Sequence, residues 1–511
     1  MTQAAVPAPR ASLRGIALIV SVILAGTIYE INITIATVAL PHMQGAFAAT
    51  HDQISWVVTS FVLGMTMVLA CSGWLADRFG RKRIFLIGTI GFTLASLLCG
   101  TATSVEEAVL WRLLQGGFGA PLVPISQAMT LDAFPKEHHG TALTIWGIAT
   151  MIGPAMGPTA GGLLVEHYSW PWTFYFGVPF GIIAAIGVWL LVEEDTPHAS
   201  RPMDWIGFTA IITVVAMLQF ILNRGERLDW FESAEIIVAT AVTIAALYIF
   251  VIHSALARHP FLEPAMFRDR NFAIGLPLTF VWGFVLYGNI VLTSLMLQEL
   301  RGFPVVTLGL VMSPRGIGVM VGMVIGNLLI TRLNPRIILS MGLGMIALSS
   351  WVMSGWSNQV EPFAVIWTGF LQGVGTGCGF IPLFAMMFAT LNTKLRTEGI
   401  MLFNLMLFTG ISCGIAVAVS VLTRSTSINH ATLMEHISRY NDLLSQPRAA
   451  GAWDTGTRGG LASIEAEVTR QATMIGYLNN FTFIAYLTLA AVPCAFLFRR
   501  VRDQAPAAGM H

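Results

Sequence analysis

The chain of 511 residues is 55% hydrophobic and only 11% charged, with a mean hydropathy of +0.71, whereas soluble domains carry about 25% charged residues. That balance excludes a soluble globular protein and identifies a polytopic membrane protein. A net charge of +1 gives no reason to expect nucleic acid or another polyionic partner.

Fourteen apolar stretches long enough to cross a bilayer succeed one another along the chain. They are Leu13–Leu40, Ile54–Leu75, Ile84–Gly100, Ala108–Thr130, Gly140–Val165, Trp172–Val192, Trp205–Leu222, Ile236–His253, Phe272–Leu297, Thr307–Thr331, Ile337–Met353, Phe363–Thr390, Gly399–Leu422 and Gly476–Phe498. The first comes after Arg10 and Arg14 but runs on to Pro41 without a convincing cleavage site and contains Glu30, so it is predicted to be a retained helix, not a signal peptide. With the N-terminus inside, the inner segments collect Arg78, Arg81, Lys82, Arg83, Lys136, Arg201, Arg258, Arg268, Arg270, Arg332, Arg336, Lys394, Arg396, Arg499, Arg500 and Arg502, while the short outer loops hold only Arg224, Arg227 and Arg301. The positive-inside rule then places both termini in the cytoplasm.

The stretch Glu193 to Asp204, with Pro197 and Pro202, separates a first block of six helices from the remaining eight. The predicted organisation is an all-α membrane protein with a six-helix bundle at 1–195, two additional helices at 196–258 and a second six-helix bundle at 259–511. The second bundle carries a large outer loop at 424–474, in which Ala431–Leu444 and Leu461–Ile475 are predicted as helical pieces on either side of the Gly-rich Ala449–Gly460. A loop this long is either functional, as a docking surface, or an unstructured spacer.

The fifth stretch contains Gly147, Gly153, Pro154, Gly157, Pro158, Gly161 and Gly162. A soluble helix would be disrupted by these residues; in a membrane, neighbouring helices protect the backbone and small residues permit close packing. The segment is therefore expected to be bendable and tightly packed on a partner, or simply a small-residue packing helix. The second and third helices are joined by Gly73-Trp74-Leu75-Ala76-Asp77-Arg78-Phe79-Gly80-Arg81-Lys82-Arg83, a tight inner turn with an acid among basic groups.

That loop resembles the signature loop of the major facilitator superfamily. Leu110, Arg112, Gln115, Gly116, Gly119 and Ala120 on the fourth helix are similar to its proton-linked motif, and Gly147–Gly162 to its antiporter motif. With fourteen helices, the resemblance narrows to the drug:proton antiporter branch, nearest the inner-membrane pumps of Emr-type tripartite exporters. Thr34-Ile35-Ala36, Val38-Ala39-Leu40-Pro41, Asp229-Trp230-Phe231 and the large outer loop add to it. The resemblance implies two six-helix bundles rocking around a central substrate site, with Gly73, Asp77, Arg78, Gly80 and Arg81 as a conformational latch. It implies efflux of drugs or toxic amphiphiles by proton antiport across a bacterial inner membrane. It also implies a periplasmic membrane-fusion adaptor and an outer-membrane channel as partners. An uncoupled carrier, or a lipid, siderophore or fatty-acid exporter on the same fold, is the alternative.

No phosphate-binding loop is present, and Cys71, Cys99, Cys378, Cys413 and Cys494 lie in or beside helices, so neither a cofactor, a metal nor a disulfide framework is implied. An enzyme would need a reactive constellation that the scattered histidines do not supply. Glu30 is the one carboxylate placed deep in the bilayer, where an isolated charge is expensive and must be neutralised by a proton or a cation. Thr27, Glu30, Thr34 and Thr37 fall within about an 80° arc of the helix, which suggests a polar side facing a cavity or a structural carboxyl between helices. Relatives usually carry an acid two positions before the Thr-Ile pair; here that position is Asn32, about 160° from Glu30 around the helix.

Arg112 lies at a depth near that of Glu30 and is expected to pair with it while substrate is absent. Arg315, in Ser313-Pro314-Arg315-Gly316, is a second embedded cation, facing substrate or capping carbonyls freed by Pro314. Two arginines against one glutamate favour amphipathic anions or weak acids. Gln115, Gln127, Asn289, Gln372, Asn404 and Phe380 complete the candidate substrate residues, with Trp282, Tyr287 and Phe384 as candidate stacking partners.

Overall fold

Alternation of long apolar runs with short polar connections leaves the backbone one economical solution in a membrane, because a helix satisfies its own amides and carbonyls. The computed structural model describes residues 13–135, 138–193, 204–225, 228–257, 260–392, 395–437, 453 and 457–499, and every regular element among them is helical. The first half comprises α1 (Leu13–Ala46), α2 (His51–Phe79), α3 (Arg81–Thr101), α4 (Val105–Gly119), α5 (Leu122–Asp132), α6 (His139–His167), α7 (Trp172–Tyr175) and α8 (Val178–Leu191). Then come α9 (Trp205–Arg224), α10 (Ala234–Leu256), α11 (Arg270–Glu299), α12 (Val305–Ile330), α13 (Pro335–Met353), α14 (Pro362–Phe388), α15 (Arg396–Glu435) and α16 (Arg458–Ala491).

All fourteen predicted stretches fall on helix, and 12 helical spans are long and apolar enough to cross a membrane. Three departures have local causes. The Ala108–Thr130 stretch breaks into α4 and α5 at Ala120-Pro121, where proline supplies no amide to continue the ladder. The Trp172–Val192 stretch divides into α7 and α8 beside Gly177 and Pro179. The predicted outer helices are continuations of membrane helices: α15 runs for 40 residues and α16 for 34, since no proline interrupts either. His430 and Glu465, 2.9 Å apart, and Asn479 with Ser425, also 2.9 Å apart, tie the two extensions into a hairpin. Residues 438–452 and 454–456 of the loop lie outside the described residues, as do 194–203 of the Glu193–Asp204 connection and the basic residues Arg10, Lys136, Arg201, Arg227, Arg258, Lys394, Arg500 and Arg502.

The chain forms two compact units. The first takes the described residues within Met1–Ile221, Ala234–Ala273 and Met387–Leu405; the second takes those within Leu222–Ser233, Ile274–Met386 and Met406–His511. In the first unit α1 packs on α5, α6 and α8, and α2 on α4. Gly153 and Gly161 bring α6 onto α1. A Cβ on Gly153 would lie 2.7 Å from the backbone nitrogen of Ile31, and one on Gly161 3.0 Å from Ile35 Cγ1; one on Gly157 would strike the Thr34 hydroxyl. In the second unit Leu278, Trp282, Leu292, Leu339, Tyr477 and Phe481 belong to one buried apolar core.

The two units repeat one helix-pair geometry. In the first, Gly64 lies against Leu113 O and Gly116 against Phe61 O, joining α2 to α4 backbone to backbone. In the second, Gly318 lies against Phe370 O and Gly373 against Arg315 O, joining α12 to α14 in the same register. Arg315 therefore occupies the position of Phe61, and Gly369, four residues before Gly373, occupies that of Arg112, four before Gly116.

The foot of α9 is anchored within the first unit by Asp204. Its carboxylate accepts from the amides of Gly207 (2.9 Å) and Phe261 (3.0 Å) and meets His253 Nε2 of α10 at 2.7 Å. Burial pushes the Asp204 pKa up, but these donors outweigh it and hold it below the ordinary carboxylate value.

Candidate functional site

The polar layer of the first unit is organised around Arg112, which is 1% exposed. Its Nε donates to Val57 O at 3.1 Å, and its Nη1 donates to Asn32 Oδ1 at 2.9 Å and Gln115 Oε1 at 2.7 Å. Gln115 passes the network on by donating to Ser96 Oγ at 2.6 Å. The guanidinium lies 4.2 Å from the centre of the Phe61 ring, a favourable place for a cation with few water contacts. Helix geometry puts Asn32, Gln115 and Arg112 together: Asn32 is on the side of α1 that meets α4, and Arg112 and Gln115 are three residues apart on one face of α4.

Glu30 is on another side of α1, where Gly153 of α6 closes on its backbone. It is 8% exposed, and among the described residues its carboxyl makes neither a hydrogen bond nor an ion pair. The expected Glu30–Arg112 pair does not form, because Arg112 is committed to the Asn32 side of the helix. The neighbouring threonines serve the seam with α6. Thr27 donates to Ile23 O and Ala149 O (3.0 and 3.1 Å), and Thr34 to Ile31 O and Gly153 O (3.1 and 3.2 Å). The side chains of Thr37, Pro154 and Pro158 lie outside the described residues.

At the α2–α3 turn, Gly80 serves as C-cap of one helix and N-cap of the next at φ 89°, a conformation that favours glycine. Arg78 lies over the Trp74 and Phe79 rings, and Arg81 bonds to Asp132 at the end of α5. Gly73 and Arg81 line a shallow recess with Pro124 and Ile125 of α5. Asp77 takes part in polar or electrostatic contact of its own.

In the second unit Asn289 of α11 and Gln372 of α14, both 0% exposed, donate to Ser350 Oγ of α13 at 3.2 and 3.3 Å. Asn289 Oδ1, Gln372 Oε1 and Thr293 Oγ1 are buried without a hydrogen-bond partner among the described residues. This Asn–Ser–Gln cluster parallels Asn32, Ser96 and Gln115, with Gly369 where Arg112 would stand. Arg315 Nη2 donates to Leu286 O at 2.8 Å, and its buried Nε has no partner among the described residues. It does not cap the carbonyl freed by Pro314: the Ser313 hydroxyl takes Leu310 O at 3.0 Å. The other candidates are dispersed. Gln127 is buried in α5 with neither amide atom bonded among the described residues, Asn404 donates to Ile400 O at 2.9 Å, and Phe380 is half-buried. Trp282, by contrast, is a core residue against Gly379.

Ser96, Phe61, Ser350, Thr293 and Asp132 are not among the sequence candidates. The recurrence of Gln-Gly at 115–116 and 372–373 is a usable signal for the two serines, since it aligns the halves. Among the described residues no cluster of His, Cys, Asp and Glu could hold a metal.

Two units of membrane-spanning helices thus repeat one internal polar layer. The family model described as Major Facilitator Superfamily matches residues 22–416, and the chain belongs to that family. It is 30% identical to the multidrug export protein EmrB of Haemophilus influenzae, over 87% of this chain and 88% of that one. It is also 30% identical to the fatty acid resistance protein FarB of Neisseria gonorrhoeae, over 91% and 92%. Among solved structures, an auto-inhibited POT-family peptide transporter superposes with a TM-score of 0.62 at 13% identity, covering 97% of this chain and 99% of that one. The human organic anion transporter MFSD10 does so at 0.59 and 14%, covering 93% and 99%. The protein is thus a polytopic membrane protein of the major facilitator superfamily, similar over most of its length to proteins named for multidrug export and for fatty acid resistance.

Proposed function

We propose that the protein exports amphipathic anions or weak acids across a bacterial inner membrane by proton antiport, with both termini cytoplasmic and Glu30 as the proton site. The observation that carries this reading is the Glu30 carboxyl, buried on the α1–α6 seam without a hydrogen bond or counter-charge among the described residues. An ionised carboxylate there is costly, so its protonation is tied to how far α6 stands from α1. The glycines Gly153, Gly157 and Gly161, with Pro154 and Pro158, let the seam close and reopen. Gly73, Asp77, Arg78, Gly80 and Arg81 act as a latch on the cytoplasmic side. The excess of buried arginine over buried carboxylate, and the relative named for fatty acid resistance, support an anionic substrate. The α15–α16 hairpin offers a surface for a periplasmic adaptor that hands substrate to an outer-membrane channel.

An uncoupled exporter is the second reading, favoured by the neutral Asn32 as the partner of Arg112. The two are separated by substrate-driven proton movement in proteoliposomes: antiport requires it and an uncoupled carrier lacks it. For the hairpin, shortening residues 438–456 should reduce resistance in whole cells and spare transport in vesicles. Equal loss in both would assign the segment to the transporter itself.

A further inference from the structure

Among the buried polar groups that the proposed proton site does not use are Gln127, the Asn289–Ser350–Gln372 cluster and Arg315. Of the two described arginines with an unpartnered Nε, Arg315 and Arg396, Arg315 is the one whose whole side chain is buried. It is 6% exposed, and among the described residues its Nη2 is met by one neutral backbone oxygen and its Nε by no partner. Among the described residues no carboxylate lies within ion-pair distance of it.

The first unit displays what a satisfied arginine looks like at this depth of the same fold. Arg112 has three oxygen acceptors and an aromatic face, and is closed on every side that its partners reach. Arg315 stands at the position of Phe61, across from Gly369, whose missing side chain leaves only hydrogen where Arg112 would project. A scaffold role is already filled by Ser313, which satisfies the carbonyl freed by Pro314. A buried guanidinium that is neither paired nor required for the backbone needs an anion from elsewhere.

We infer that Arg315 is the anchor for the oxyanion of the transported molecule, a carboxylate in the case of a fatty acid, received at its Nε edge within the second unit. This deepens the exporter reading and rests on it. Guanidinium and carboxylate make charge-assisted hydrogen bonds that a neutral analogue with the same tail does not make. Asn289 and Gln372 lie within a turn of the residues that Arg315 meets on α11 and α14, and Thr293 lies about a turn beyond Asn289. They offer adaptable polar atoms to any hydroxyl or water that accompanies the anion.

The test compares decanoate with decanol on the purified full-length transporter in lipid nanodiscs, with binding followed by calorimetry. Arg315→Gln should weaken decanoate about tenfold or more, the worth of a charged hydrogen bond, and leave decanol unchanged. Arg315→Lys should retain part of the decanoate affinity. Equal losses for both compounds would make Arg315 a structural residue, docked for instance on the Asn289 and Gln372 oxygens. No loss for either, or failure of the unmodified protein to bind decanoate, would also overturn the assignment. Proton movement driven by decanoate in the unmodified protein reports separately on the antiport reading, which fails if none occurs even though Arg315-dependent binding is intact.

Discussion

The polar layers of the two units are built from the same helix pairs and end in opposite states. In the first, Arg112 from α4 stacks on Phe61 from α2 and satisfies the oxygens of Asn32 and Gln115. In the second, the arginine has moved to the α2-equivalent helix, glycine stands on the α4-equivalent, and the matching oxygens of Asn289 and Gln372 are unsatisfied. A repeated helix-pair geometry can therefore be kept while one copy of the layer closes around its arginine and the other is left under-satisfied. The buried group that lacks partners is the better candidate for ligand chemistry than the one that has them all.

A sealed layer should tolerate change least, so the largest effects belong to the first unit. Gly157→Leu should have the largest of all, since even a Cβ meets the Thr34 hydroxyl; the expected outcome is loss of folded protein or of turnover, read by size-exclusion chromatography and vesicle transport. Normal kinetics would mean that the α1–α6 seam is not under packing constraint. Arg112→Met should come next, leaving the Asn32 oxygen unsatisfied at about 1–3 kcal/mol and Gln115 Oε1 with only the weak Cys99 thiol donor. Thermal unfolding should drop further in this variant than in Arg315→Gln, whose arginine donates only to Leu286 O among the described residues. A larger drop for Arg315→Gln would reverse the assignment of sealed and open layers.

Asn32→Asp in a Glu30→Gln background should form an ion pair with Arg112 and fail to restore proton coupling, because that side of α1 is clamped; recovery of substrate-driven proton flux would show that either face can serve. The smallest effect is expected at Asp204→Asn. The folded pKa of Asp204 lies below its ordinary value, so its stabilisation is complete above that ordinary value, near 3.9, and is lost as pH falls through the folded value. The variant should thus be less stable by about 1 kcal/mol at neutral pH and converge with the unmodified protein in acid. A constant difference down to the lowest pH would exclude the tie to Gly207, Phe261 and His253.

Helix positions are legible in the sequence because apolar length and glycine punctuation are local properties. The ends are less so: the α4–α5 break depends on Pro121 inside an otherwise continuous apolar run, and the outward reach of α15 and α16 depends on the absence of proline in polar sequence. Glu30, Arg112 and Arg315 stand out because charge is rare in the bilayer. Their partners do not, since the Arg112–Asn32 bond spans 80 residues of sequence separation and the acceptor Val57 O has no side-chain signature. The helical wheel separates Asn32 from Glu30, yet only the packing of α4 and α6 decides which neighbour each side meets.

The most direct measurement is substrate-driven proton release from proteoliposomes containing the Glu30→Gln variant. That change removes the titratable group while nearly preserving its size, and decanoate binding at Arg315 provides an internal control for folding. Proton release should disappear while decanoate binding persists. Full proton-coupled transport by Glu30→Gln would contradict the assignment of Glu30 as the proton site.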